Sequence, residues 1–215
     1  GGGQVVVVSR HGMSVANMQR DAFGGDCDDR FVDAALSPAG RRQAEALGAM
    51  LGGVGAELVV TSPLRRAVQT CLIALESQPL SPPILLLPFL TECVGRGREN
   101  AGRPRGEIAG DVELQCFRHW PSVDLGEVGD GEWWEREMRQ NEEGGGRRRQ
   151  ARAFKEWLGG RRERRILVFA HWGLIEALTG RSLSNGGCMI DTCYAAVDPD
   201  AATHKWQWVH VRKKD

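Results

Sequence analysis

Hydrophobic positions along the chain fall into two alternating patterns. Gln4–Ser9 is a short, continuous run of β-branched residues ending in a polar turn, the mark of a strand buried on both faces. Ser37-Pro38 then opens a stretch in which Ala44, Leu47, Leu51 and Val54 keep helical spacing, with serine placed as N-cap and proline at the first helical position. The pair recurs: Glu57–Thr61 reads as a second strand, and Ser62-Pro63 as the cap and start of a helix running to about Glu76. Ile84–Leu87 and Ile166–Ala170 predict two more strands, and Ala151–Leu158 and Leu174–Thr179 two more helices. Ala195–Val197 and Trp206–Val211 predict strands near the end. Strands alternating with helices imply an α/β fold: a single doubly wound domain over residues 1–215, with a mainly parallel sheet flanked by helices. Two stretches carry no clear period, Met13–Leu36 and Thr91–Gly146; loops of that length are functional or poorly ordered.

Composition narrows the picture. The chain has 215 residues, and its 28 basic side chains balance 28 acidic ones, which argues against a nucleic-acid partner. The arginine-dense segments Arg147–Arg149 and Arg161–Arg165 read as solvated surface. The longest apolar runs are strand-sized, far below the roughly 18 residues of a membrane span, so no membrane partner is expected. The six cysteines contain no C-x-x-C pair, which speaks against zinc and for free thiols in a reducing compartment. That compartment is the cytoplasm or, because the chain opens Gly1-Gly2-Gly3 in the manner of a tag remnant or a trimmed end, an organelle. Composition leaves the oligomeric state open.

Ligands of an open parallel sheet collect at the carboxyl ends of its strands. After the first predicted strand come Arg10, His11 and Gly12, with Ser14 and Asn17 close behind. Arg65 and Arg66 follow the second, Glu92 the third and His171 the fourth. Arginine presents a planar fork of donors that matches a phosphate and keeps its charge at any working pH. A neutral histidine can attack phosphorus, a protonated one can hold charge on the transferring oxygens, and a glutamate can protonate the departing oxygen. So much positive charge makes a metal unnecessary, and no cofactor is expected.

The motifs fit this chemistry. Ser9-Arg10-His11-Gly12-Met13-Ser14 with Asn17, Leu36-Ser37-Pro38-Ala39-Gly40 with Gln43-Ala44, Thr61-Ser62-Pro63-Leu64-Arg65-Arg66-Ala67 with Gln69-Thr70, Leu90-Thr91-Glu92 and Phe169-Ala170-His171 occur in that order. Together they resemble the histidine phosphatase superfamily, the phosphoglycerate-mutase-like proteins, over roughly residues 4–180. The resemblance implies that His11 forms a phosphohistidine, that Arg10, Arg66 and His171 hold the phosphoryl group, and that Glu92 donates a proton; should Glu92 not be the acid, Glu99, Glu107 or another carboxylate of the long insertion is the next candidate. It implies Gly12, Ser14 and Asn17 as phosphate or substrate contacts. Arg103, in a cluster with Arg96, Arg98 and Arg105, is a candidate for a second anionic group, although such clusters are usually solvated. Trp172 departs from the small residue usual after the second histidine. Gly102-Arg103-Pro104 and Trp120-Pro121-Ser122-Val123-Asp124 bear a weaker likeness to a plant and fungal subgroup.

The expected activity is metal-independent hydrolysis of a small phosphorylated metabolite, with specificity in residues 93–146, which resemble a lid or insertion. Two alternatives use the same motifs: a phosphoglycerate-mutase-type phosphotransferase, disfavoured because no proline-rich run lies between Glu92 and His171, and a binding protein of the same fold that has lost catalysis.

Overall fold

The computed structural model describes residues 4–24, 29–79, 82–92, 97–142, 145–180, 192–197 and 207–211. In chain order they form β1 (Gln4–Arg10), α1 (Val15–Phe23), α2 (Pro38–Leu51), β2 (Leu58–Thr61), α3 (Arg65–Leu75), β3 (Ile84–Leu86), α4 (Arg105–Ala109), α5 (Val112–Gln115), β4 (Val123–Asp124), α6 (Trp133–Glu142), α7 (Gly146–Gly159), β5 (Arg165–Ala170), α8 (Trp172–Thr179), β6 (Thr192–Val197) and β7 (Gln207–Val211). Among the described residues the strands make one sheet in the order β4-β3-β2-β5-β1-β6-β7. The first five are parallel, and β6 and β7 extend the β1 edge antiparallel. The α/β fold with a mainly parallel sheet and helices on both faces is the one the sequence predicts.

Strand alternation supplies both apolar layers. Val6, Val8 and Val168 face α7 and α8, packing with Phe154, Leu174 and Leu178. Val7, Val59 and Leu167 face the other way, toward Leu47 of α2, Leu72 of α3 and Leu114 of α5. A strand buried on both sides has no polar face to show, which is why the sequence reads as unbroken apolar runs. No helix among the described residues is long and apolar enough to cross a membrane.

Three local readings are corrected. Ser62-Pro63 does not cap α3: that helix begins two residues later, Leu64 stands at the N-cap without a side-chain cap bond, and the Ser62 hydroxyl accepts the Leu64 N–H at 3.2 Å inside the turn. Ser37 does cap α2 as predicted, accepting the Gly40 N–H at 3.1 Å. The stretch Met13–Leu36 contains α1, whose start is a capping box: the Ser14 hydroxyl accepts the Asn17 N–H, and the Asn17 carbonyl oxygen accepts the Ser14 N–H. Thr91–Gly146 is not one long loop either, since it holds α4, α5, β4 and α6. Trp206 and Arg96 lie outside the described residues.

Candidate active site

The β1–β5 register builds the centre of the site. Arg10 lies opposite Ala170, and the His11 N–H donates to the Ala170 carbonyl at 3.0 Å, so the residues following the two strands emerge side by side. The rings of His11 and His171 sit 4.9 Å apart although 160 positions separate them in the chain. The glycine after His11 permits a close backbone approach: a Cβ there would lie 2.4 Å from the Gly40 carbonyl oxygen, and one on Gly40 would lie 2.1 Å from that of Met13. The strand end is thereby pressed onto the start of α2, and the Gly12 N–H is taken by the Thr70 hydroxyl at 3.0 Å.

Arg66 ties the two histidines together. Its Nε donates to His11 Nε2 at 3.3 Å, Nη1 to the Glu99 carbonyl at 2.7 Å and Nη2 to the Asn100 side-chain oxygen at 2.8 Å; Nη2 also lies 3.3 Å from His171 Nδ1. His11 Nδ1 stands 2.7 Å from the Gly12 carbonyl, which only accepts, so Nδ1 carries the proton and Nε2 the lone pair. At His171 the same logic runs in reverse. Nδ1 faces an arginine donor, the proton sits on Nε2, and that nitrogen is buried without a hydrogen-bond partner among the described residues.

Burial, reinforced by the Arg66 and Arg10 charges, holds His11 well below the ordinary histidine value of 6.5. Burial, then Arg66, does the same to His171. Burial also lowers Arg10 and Arg66, opposed in both cases by Glu92. Two imidazoles that are neutral when folded and free to take protons when unfolded make stability pH-dependent. Their contribution is complete above about pH 6.5 and is lost as pH falls from there toward the depressed folded values. The melting temperature should therefore fall on acidification below pH 6.5, and less steeply in His171→Gln; equal slopes in the two proteins would contradict the buried-neutral assignment.

A cleft of about 140 Å³ opens at His11, lined by Arg10, His11, Ser14, Asn17, Arg66 and Glu92, whereas His171 is fully buried and is not among its lining residues. Arg20, Glu99, Asn100 and Trp172 complete the lining. Asn17 spends its carbonyl oxygen on the α1 cap, which leaves its amide donors for the cleft. Glu92 accepts the Gly173 N–H at 3.3 Å, which fixes it against the first turn of α8. Arg20 reaches from α1 to pair with the Glu99 carboxylate.

Two residues read as contacts from the sequence have other commitments. The Gly12 amide is used by Thr70, and Arg103 is bound to Asp33 at 2.7 Å and to Asp111 at 2.9 Å. The Asp33 carboxylate also accepts the Arg65 N–H at 2.6 Å, so Arg103 joins the segment after α1, the start of α3 and the start of α5, and it does not line the cleft. Arg105 pairs with Asp130 on the surface. Sequence reasoning missed Arg20 and Asn100 as lining residues. Arg20 was within reach, because the Ser14-x-x-Asn17 cap starts a helix that carries Asn17 and Arg20 on one face. No local signal marks Asn100.

Among the described residues no group of three or more His, Cys, Asp or Glu side chains is arranged to hold a metal ion. What the cleft offers is an anion cradle: the guanidinium groups of Arg10 and Arg66, the His11 Nε2 lone pair that accepts from Arg66, and the Glu92 carboxylate, with Arg20 beside them paired to Glu99.

No curated protein matches the chain. Among solved structures, mycobacterial glucosyl-3-phosphoglycerate phosphatase is similar at 21% identity with a TM-score of 0.56, over 95% of this chain and 96% of that one. Bacillus stearothermophilus YhfR is similar at 18% identity and TM-score 0.57, over 96% and 95%. The alpha-ribazole phosphatase from Shigella flexneri aligns at 18% identity and TM-score 0.54, over 96% of each chain. These likenesses show the shared fold. The histidine phosphatase superfamily (branch 1) profile matches residues 6–187, and the chain belongs to that family.

Proposed function

We propose that this protein hydrolyses phosphate monoesters of small metabolites by way of a phosphohistidine on His11. The observation that carries the reading is the hydrogen-bonded state of the two rings: Nδ1–H of His11 is spent on a carbonyl, which puts the lone pair on Nε2, where only the long 3.3 Å bond from Arg66 has to yield to phosphorus, while Nε2–H of His171 is a buried donor without an acceptor among the described residues. Leaving such a donor unsatisfied costs about 1–3 kcal/mol, and a phosphoryl oxygen would satisfy it.

In the first step the Nε2 lone pair attacks phosphorus, the P–N bond forms and the ester P–O bond breaks. Glu92 gives its proton to the departing alkoxide. Arg10 and Arg66 hold the equatorial oxygens, whose charge His171 also stabilises. Water then attacks the phosphohistidine with Glu92 as base, the P–N bond breaks, orthophosphate leaves, and Nε2 recovers its lone pair.

Orthophosphate release from phenyl and glycerol phosphates, assayed with excess chelator, tests the reading; no release from any monoester would overturn it. The role of Glu92 has its own signature. A general acid matters most when the leaving group is strongly basic. Glu92→Gln should therefore slow glycerol phosphate hydrolysis by on the order of a hundredfold and nitrophenyl phosphate hydrolysis by less than about tenfold. Equal losses would transfer the role to Glu99, the other carboxylate of the cleft.

A further inference from the structure

Within the cleft, Trp172 stands apart from the polar residues around it. It is the first residue of α8, follows His171 directly, and is half-buried against the α7–α8 apolar layer. The Arg147 guanidinium, from the first turn of α7, lies over its ring at 5.0 Å from the centroid and pairs with Glu176, one turn further along α8. The indole is thus held by Arg147 over its ring, and Trp172 is one of the residues that line the cleft.

The size of the cleft assigns this surface to the leaving group. At about 140 Å³ it is smaller than the roughly 300–1,000 Å³ of pockets that enclose a whole organic ligand. It takes the phosphoryl head, and the remainder of the ester lies at the mouth. Of the polar groups that line the cleft, Arg20 is paired with Glu99 and the Asn100 oxygen is held by Arg66. Among the described residues that line the cleft, Trp172 is the one large apolar aromatic side chain, and it follows directly on His171.

We propose that Trp172 is a specificity-determining residue that selects phosphate monoesters whose leaving group carries a flat apolar ring close to the ester oxygen. The proposal rests on the reading of the cleft as a phosphoryl site. Ring pairs prefer offset or edge-to-face contact, and a clamped indole has little rotamer freedom left to lose on binding.

The test separates the two ideas. Titration calorimetry with benzylphosphonate and methylphosphonate, which cannot be hydrolysed, measures the ring contact without turnover. The wild-type protein should prefer the benzyl compound by about tenfold. Trp172→Ala should bring the benzyl-to-methyl affinity ratio close to one, and Trp172→Phe, which keeps a ring and guards against a folding defect, should retain most of it. A ratio near one in the wild type, or one unaltered in a folded Trp172→Ala, overturns the proposal. Orthophosphate release from benzyl and glycerol phosphates is assayed in parallel. Benzyl selectivity in binding with no release from either ester sinks the phosphatase reading and leaves the ring site standing.

Discussion

His11→Ala is expected to lower kcat by on the order of a thousandfold or more while leaving the fold intact, because it removes the atom proposed to bond phosphorus. The structure gives reasons to expect a folded variant. His11 contributes to neither apolar layer, and Arg66 keeps its bonds to the Glu99 carbonyl and Asn100 when the ring is gone. The chemistry can be read directly as well. Rapid quenching of the wild type with radiolabelled substrate should trap a phosphoenzyme that is stable in base and labile in acid, since protonation of the phosphoramidate nitrogen releases the phosphoryl group. The label should map to His11 and be absent from His11→Ala. An acid-stable adduct would indicate a serine or threonine ester, and near-normal turnover by the folded alanine variant would remove His11 from the mechanism.

Arg66 should be nearly as sensitive, and two substitutions divide its contributions. Arg66→Lys keeps a charge but replaces a planar fork with one nitrogen, which cannot span His11, His171, the Glu99 carbonyl and Asn100 at once. A loss in kcat/KM of about a hundredfold is expected, comparable to deleting one preorganised donor from an oxyanion site. Arg66→Gln removes the charge too. Because that charge helps to hold both histidines below 6.5, its loss should raise the His11 pKa and move the acid limb of the kcat/KM profile to higher pH. The lysine variant should keep its acid limb near that of the wild type. If the limb stays put in both variants, burial alone depresses His11 and the electrostatic part of the argument falls.

Much of the site was legible because its chemistry sits where local pattern is strongest. Arg10, His11 and His171 follow the most regular apolar runs in the chain, and a buried parallel strand ends where its polar residues begin. Ser37-Pro38 carries a start signal within four residues, and the structure uses it. Ser62-Pro63 has the same letters, yet the structure uses them differently: Asp33, from the segment after α1, takes the Arg65 N–H at the start of α3, and the serine turns to its own loop. The helices between β3 and α7 were hidden for another reason. With four or five residues, α4 and α5 are too short to show a period; Ile108 and Leu114 are buried in the apolar layer and the Asp111 side chain caps α5.

What the sequence determined by itself was the alternation of strands and helices and the set of reactive side chains at strand ends, since both follow from contacts within a few residues. Tertiary structure decided which of those side chains meet. The register of β1 on β5 placed the two histidines in contact, and Arg66 then fixed the tautomer of His171 as the Gly12 carbonyl fixed that of His11. Two buried carboxylates drew Arg103 away from the cleft, because arginine joins whichever anion the fold brings nearest. Arg20 and Asn100 entered the cleft by the same route, through partners 79 and 34 positions away in the chain. Such pairings are properties of the packed sheet and its helices, and no window of neighbouring residues contains them.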